Sequence, residues 1–233
     1  MNGILLIDKP KNWTSFDVVA KTRGVIRRQT GLKKPKVGHA GTLDPMATGL
    51  LVLLIGTYCK QAQQFLELDK AYQATLMLGA TSTTGDTEGA ISRVSDNQPS
   101  NSNVEQACKN VVGTYEQMPP IYSAKKVDGK RAYQLAREGK SVALEPKQVT
   151  VYDVTITRYM YPELHIMTTV SSGTYLRSLA VDIGNSLKTG AYLADLRRTR
   201  IGNFQVTDAI TVDDIALTDD ITKHIRQAAI DIT

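Results

Sequence analysis

The longest uninterrupted apolar run, Leu50 to Ile55, is six residues. That is far short of the ~20 residues a membrane helix needs, and it reads as a buried strand. Other β-rich runs stop at turn signals. Ile4 to Ile7 ends at Asp8-Lys9-Pro10, Tyr72 to Leu78 ends at Gly79, and Val149 to Arg158 and Leu164 to Val170 straddle Tyr161-Pro162 as an antiparallel pair. Helical spacing recurs at Phe16, Val19, Ala20 and Ile26, behind the start residues Thr14, Ser15 and Asp17 and before a stop at Gly31. Further helices are expected over Cys59 to Leu66, around Val104, Ala107, Cys108, Val111 and Val112, around Ala132, Leu135 and Ala136 up to Gly139, and over Thr174 to Leu187. Tyr192 to Ile201 reads as extended and basic, and a strand with one or two short helices should follow. Val37 to Gly49, Ala80 to Gly89 and Asn97 to Ser102 read as irregular, loop and linker, and Val127 to Lys130 as a turn. No strand–helix alternation is sustained and no repeat is present. The pattern implies an α+β fold with a mixed, mostly antiparallel central sheet flanked by helices and loops. At 233 residues the chain suits one large domain or a domain with a small appendage, without a boundary between equal halves.

Several chemistries lose their simplest support. The two cysteines, Cys59 and Cys108, form no CxxC and no disulfide framework, which suits a reducing cytoplasm. The three histidines, His39, His165 and His224, are scattered, so no metal site is expected. No phosphate-binding loop, dinucleotide fingerprint, zinc-protease motif or nucleophile elbow occurs, so no cofactor is expected. Met1 to Pro10 lacks the pattern of a cleaved signal, and no membrane association is expected.

Charge is uneven. Up to residue 206 there are 26 basic and 17 acidic residues; from Thr207 onward there are six acids and two bases. Lys21 to Lys36 holds seven basic residues and no acid, a run that is either a solvated face or a strip of phosphate contacts. A basic body suggests a polyanionic partner.

The segment Gly38-His39-Ala40-Gly41-Thr42-Leu43-Asp44-Pro45-Met46-Ala47-Thr48-Gly49 sets a His, an Asp and three Gly between that basic run and the apolar strand. Glycines permit tight turns and close approach to a ligand, and loops on rigid strands are where catalytic groups tend to sit. Taken alone, Asp44-Pro45 would read as a simple turn initiator. The segment resembles the GHxGxLDPxATG motif of the TruB family of tRNA pseudouridine synthases. Five further blocks, in order, are similar to that family: Gly3 to Pro10 with Trp13 to Asp17; Lys70-Ala71-Tyr72; Gly85 to Gly89; Gln117 to Lys126 with Gly129; and Ser172 to Arg177 followed by Leu196 to Arg200.

The resemblance implies the pseudouridine synthase fold and the isomerisation of uridine at position 55 in the T loop of tRNA, with no redox step. It makes Asp44 the catalytic carboxylate, acting as nucleophile or as stabiliser of positive charge at C1′. A carboxylate in a water-poor pocket needs a nearby cation to stay ionised, and the resemblance makes Arg177 that cation. Tyr72 would stack on the extracted base, Tyr175 would touch its edge and Leu196 would pack against it. His39 would fill the space left by the flipped nucleotide. Asp86 would organise the site by holding Arg177. Lys125, with Lys126, Lys130 and Arg131, and Arg197 to Arg200 would contact phosphates, which position RNA without reading it.

The partner expected is the tRNA T stem-loop, bound by a monomer without a guide RNA. Bacterial members usually carry a further C-terminal RNA-binding module. Residues 1–206 are therefore expected to form the catalytic domain with its RNA-binding surface, and 207–233 a short acidic segment in place of that module. Two alternatives stand beside this reading: a non-catalytic RNA-binding or RNA-folding protein, and a guide-dependent relative of the H/ACA kind.

Overall fold

The computed structural model describes residues 1–123, 126–127, 130–132, 135 and 144–227. The chain divides into two compact units, one of Met1–Tyr72 with Leu196–Thr233 and one of Gln73–Asp195. The sequence reading expected no such division. The reason is local: both crossings fall inside strands, β4 (Lys70–Leu78) and β12 (Ala191–Ile201), and neither leaves a linker. The strands form a mixed, mostly antiparallel sheet.

In the first unit, β1 (Gly3–Lys9) pairs antiparallel with β3 (Thr48–Ile55), Ile4 lying opposite Leu54 and Leu6 opposite Val52. β3 pairs antiparallel with β2 (Val37–His39) and parallel with β12, where Arg197 faces Thr48 and Arg198 faces Gly49. The apolar run of β3 is continuous because both faces are covered. Strand alternation sends Leu51, Leu53 and Ile55, with Leu5 and Ile7, toward Val18, Val19, Val25 and Ile26 of α1 (Ser15–Thr30). It sends Leu50, Val52 and Leu54, with Ile4 and Leu6, toward Ala40, Phe65 and Ile201 on the other side. Phe65 belongs to α2 (Ala62–Glu67), which follows a short 3-10 turn.

Helix α1 begins as its residues predict. Thr14 Oγ1 accepts from the Asp17 N–H at 3.0 Å, Asp17 Oδ2 accepts from the Thr14 N–H at 2.8 Å, and Gly31 closes the helix at φ 73°. A cap of this kind stabilises by about 1 kcal/mol.

The described part of the acidic segment, residues 207–227, packs within this first unit. Strand β14 (Ile210–Thr211) pairs parallel with β1, and Val212 and Ile215 of a short helix (Val212–Leu217), with Ile221, join the core under α1. Ile4 and Arg226 exchange both backbone hydrogen bonds at 2.9 Å. Two of the acids take part in caps. Asp214 sits at the third position of a capping box with Thr211, and Asp220 accepts from the Thr222 N–H, both hydroxyl partners holding these carboxyls below their ordinary values.

In the second unit the strand order is β4, β11 (Glu163–Val170), β10 (Lys147–Met160), β7 (Gly113–Gln117). β10 and β11 form the expected antiparallel pair around Tyr161-Pro162, and β7 runs antiparallel to β10 with Gln117 opposite Lys147. Helix α3 (Asn101–Asn110) starts at a Ser100–Asn103 capping box inside the segment read as linker, and α4 (Leu176–Ser186) starts after Tyr175. The segment read as loop, Ala80 to Gly89, instead opens with β5 (Ala80–Ser82), which pairs with β6 (Ile91–Arg93). Three cross-strand pairs, in which Ala80 and Ile91 are the only apolar members, are too short for a hydrophobic alternation to be read. β8 (Lys126–Val127) and β9 (Lys130–Arg131) pair around the expected turn. Lys125 and the helix expected up to Gly139 lie outside the described residues, except Ala132 and Leu135. Among the described residues no helix is long and apolar enough to cross a membrane.

Candidate active site

Asp44 lies in the first unit, on the loop between β2 and β3. The loop leaves the sheet after Ala40, whose N–H donates to Val52 O at 2.9 Å, and turns where the Ala47 N–H donates to Asp44 O at 3.0 Å. Buried polar groups hold it on both sides of Asp44. Before it, Ser15 Oγ accepts from the Leu43 N–H at 2.9 Å and donates to Leu43 O at 3.1 Å. After it, Pro45 O accepts from the Asn12 N–H at 2.8 Å and from Lys9 Nζ at 3.5 Å. Beneath it, Arg198 donates to Leu50 O at 2.8 Å and Gly41 O at 3.0 Å. Gly49, at φ 99°, permits the close passage of β12, since a Cβ there would lie 2.2 Å from Arg198 O. Asp44 itself is half-buried. A carboxylate on a loop held this way is pre-organised, the condition under which charge stabilisation is effective.

Arg198 corrects the sequence reading, which counted it among phosphate contacts. It is 2% exposed, and its guanidinium holds loop carbonyls. Its neighbour Arg197 forks onto Asp8 at 3.0 and 2.6 Å, with a third of the side chain open to solvent. Tyr72 and Leu196 are buried, and His39 is half-buried at the end of β2, opposite Leu53.

Lys9, within the Gly3 to Pro10 block, is wholly buried. Its ammonium donates to Trp13 O at 2.7 Å and Pro10 O at 2.9 Å as well as to Pro45 O. Burial pulls its pKa down from 10.5 to about 8; the Asp44 carboxylate opposes that by attraction, Arg198 adds to it by repulsion, and Asp17 opposes it. Between those two values the unfolded chain binds more protons than the folded one. The Lys9 contribution to stability therefore rises as pH goes from about 8 to 10.5. Lys9→Met is expected to remove that rise, by up to about 3 kcal/mol, read from urea midpoints across that range. Identical slopes in the two proteins would show that Lys9 is not desolvated.

Asp86 and Arg177 meet in the second unit, both buried, with Arg177 Nη1 at 3.3 Å from Asp86 Oδ2. Arg177 also donates to Thr84 O at 3.1 Å and Tyr122 O at 2.8 Å. Asp86 Oδ1 accepts from Thr84 Oγ1 at 2.5 Å and from the Glu88 N–H at 2.9 Å. The loop reaches this pose through Gly85 at φ 77°, where a Cβ would sit 3.3 Å from Arg177 Cβ. Arg177 is the second residue of α4, where the helix dipole adds positive field. Tyr175, just before α4, has its N–H and C=O held by Gln117. Among the described residues no cluster of three or more His, Cys, Asp or Glu gathers to hold a metal.

Comparison with known proteins bears on both units. Residues 27–176 match the model of the TruB family pseudouridylate synthase N-terminal domain, and residues 177–229 that of the tRNA pseudouridylate synthase B C-terminal domain. A Phocaeicola vulgatus protein named tRNA pseudouridine synthase B is 44% identical over 90% of each chain. Its namesake in Flavobacterium johnsoniae is 41% identical over 90% of this chain and 92% of its own. A chain in the crystal structure of a Cbf5–Nop10–Gar1 complex superposes with a TM-score of 0.70 at 27% identity. That match covers 91% of this chain, which spans about half (53%) of the other's length. Agreement in sequence and fold along nearly the whole chain defines a pseudouridine synthase fold. The chain belongs to the TruB family of pseudouridylate synthases.

Proposed function

We propose that this protein isomerises uridine to pseudouridine in tRNA, at position 55 of the T loop, without a guide RNA. The base leaves C1′, turns and rejoins through C5, so no electron is gained or lost. Asp44 supplies the carboxylate that meets the positive charge developing at C1′, by bonding or by electrostatics. Tyr72 stacks on the extracted base, Leu196 packs against it, Tyr175 meets its edge and His39 fills the vacated stack. Arg177, with Asp86 behind it, supplies a fixed positive charge. The observation that carries this reading is the Asp44 loop, its backbone tied down at Leu43, Pro45 and Gly41 by buried side chains. The identity to proteins named tRNA pseudouridine synthase B supports tRNA as the substrate class.

The test is tritium release from C5-labelled uridine in an unmodified T stem-loop with no added RNA. Release approaching one equivalent per stem-loop is expected; none from the intact chain would overturn the reading. A guide-dependent activity has one observation in its favour, the likeness to the chain of the Cbf5 complex. Release only after a guide is added would establish it.

Lys21, Arg27, Arg28, Lys33, Lys34 and Lys36 are all exposed on the first unit, and the reading makes them phosphate contacts. Replacing Lys33 and Lys34 together by Ala should weaken stem-loop binding and flatten the slope of log K against log salt by about 1 to 2. The single-turnover rate at saturating enzyme should stay unchanged. An unaltered slope would remove the strip from the interface.

A further inference from the structure

The end of β7 grips the first turn of α4 inside the second unit. Gln117 is 2% exposed. Its Oε1 accepts from the Tyr175 N–H at 2.8 Å, and its Nε2 donates to Tyr175 O at 3.3 Å and to the Tyr115 hydroxyl at 3.0 Å. The Tyr115 hydroxyl donates in turn to Asp182 Oδ2 at 3.0 Å. Only one polarity satisfies the chain. A carboxylate can only accept, so the one Tyr115 proton goes to Asp182 and the Tyr115 oxygen accepts from Gln117. The Gln117 carbonyl is then left for the Tyr175 N–H.

The next residues continue the grip. Met118 O accepts from Ser178 Oγ at 2.7 Å and Tyr122 O accepts from Arg177 at 2.8 Å. Pro119-Pro120 between them restricts the backbone. Tyr175 caps α4 without a side-chain hydrogen bond of its own, so its N–H depends on an outside acceptor.

We propose that Gln117 is a positioning residue for the pseudouridine reaction, fixing the pose of Tyr175 by holding both its backbone groups from an anchor that runs through Tyr115 to Asp182. The inference rests on the reading of Tyr175 as a residue that meets the uracil edge. A backbone held at N–H and C=O lets the ring move only about its own side-chain torsions. Misplacing a contact residue by a fraction of an ångström slows chemistry without preventing binding. The groups facing Gln117 are the Tyr115 hydroxyl and Asp182 from α4, both pushed above their ordinary values by burial first, and the cross-strand neighbour Lys147 on β10.

The test is single-turnover tritium release by the full chain, with stem-loop affinity and Tm measured alongside. Wild type should release label. Gln117→Leu keeps the bulk and removes every bond; its rate at saturating enzyme should fall by about tenfold or more, with affinity within a few-fold of wild type. Gln117→Glu keeps an acceptor for the Tyr175 N–H but sets a carboxylate against Tyr175 O. Protonating the introduced carboxyl restores a donor, so its rate relative to wild type at the same pH should climb as pH falls from about 8 to 6. A merely structural role would lower Tm without that pH-dependent recovery. A Gln117→Leu rate within twofold of wild type, or a Gln117→Glu ratio flat with pH, overturns the proposal while wild-type release leaves the pseudouridine reading intact. No release by wild type overturns both.

Discussion

Asp44→Asn is expected to abolish turnover while leaving the stem-loop bound. The exchange is isosteric and removes one charge. The loop is held through the backbone of Leu43, Pro45 and Gly41, so these ties survive the exchange. Removing a group that meets the reacting carbon costs about 10⁴-fold or more in rate. Affinity should stay within a few-fold, or tighten slightly, because a negative charge leaves a surface that meets phosphate. Tritium release and filter binding on the same preparation decide the matter. A rate within tenfold of wild type would show that Asp44 is not the group at C1′, and a collapse of binding would make it a recognition residue instead.

The fold was legible where local chemistry and periodicity agreed. The Thr14 cap, the Gly31 stop, the strand Leu50 to Ile55 and the pair around Tyr161-Pro162 each carry their own signal, and each forms as read. The motif around Asp44 was legible as a pattern, but its supports were not. Lys9, Ser15 and Arg198 act by binding main-chain carbonyls or amides, which every residue possesses, so no complementary side chain marks the contact in sequence. Arg197 and Arg198 show the same limit. As adjacent letters they read as one basic patch, yet a strand sends neighbours to opposite faces; one reaches Asp8 near the surface and the other is sealed under the loop. The packing around the acidic residues near the end is hidden in the sequence for a related reason. Net charge says nothing of position, and two of these carboxyls, Asp214 and Asp220, cap turns whose apolar residues join the core. The Gln117 grip on Tyr175 spans 58 residues and again ends on backbone.

Arg177→Lys should cost about 100-fold in single-turnover rate although the charge is conserved. The guanidinium serves three acceptors at once: Asp86 Oδ2, Thr84 O and Tyr122 O. An ammonium is a point charge on a flexible stem and cannot span a planar fork. Whichever acceptor it chooses, another buried carbonyl is left without a donor, at about 1–3 kcal/mol each. The loss should register twice, as a lower Tm and as slower chemistry, because the same three contacts fix the start of α4 and the charge it carries. Asp86→Asn separates the two effects. It keeps the packing and one weaker bond to Arg177, so it should lower Tm less than Arg177→Lys while still slowing the reaction. Full activity in the Arg177→Lys protein would mean that any cation suffices and that the fork has no part in catalysis. Ionic strength gives a further check. Exposed charges are screened over about 8–10 Å of salt solution, buried ones far less. The Arg177 defect should therefore persist unchanged from low to high salt, where the defect from Lys33 and Lys34 fades, because one is a fault of geometry inside the second unit and the other of attraction at the surface of the first.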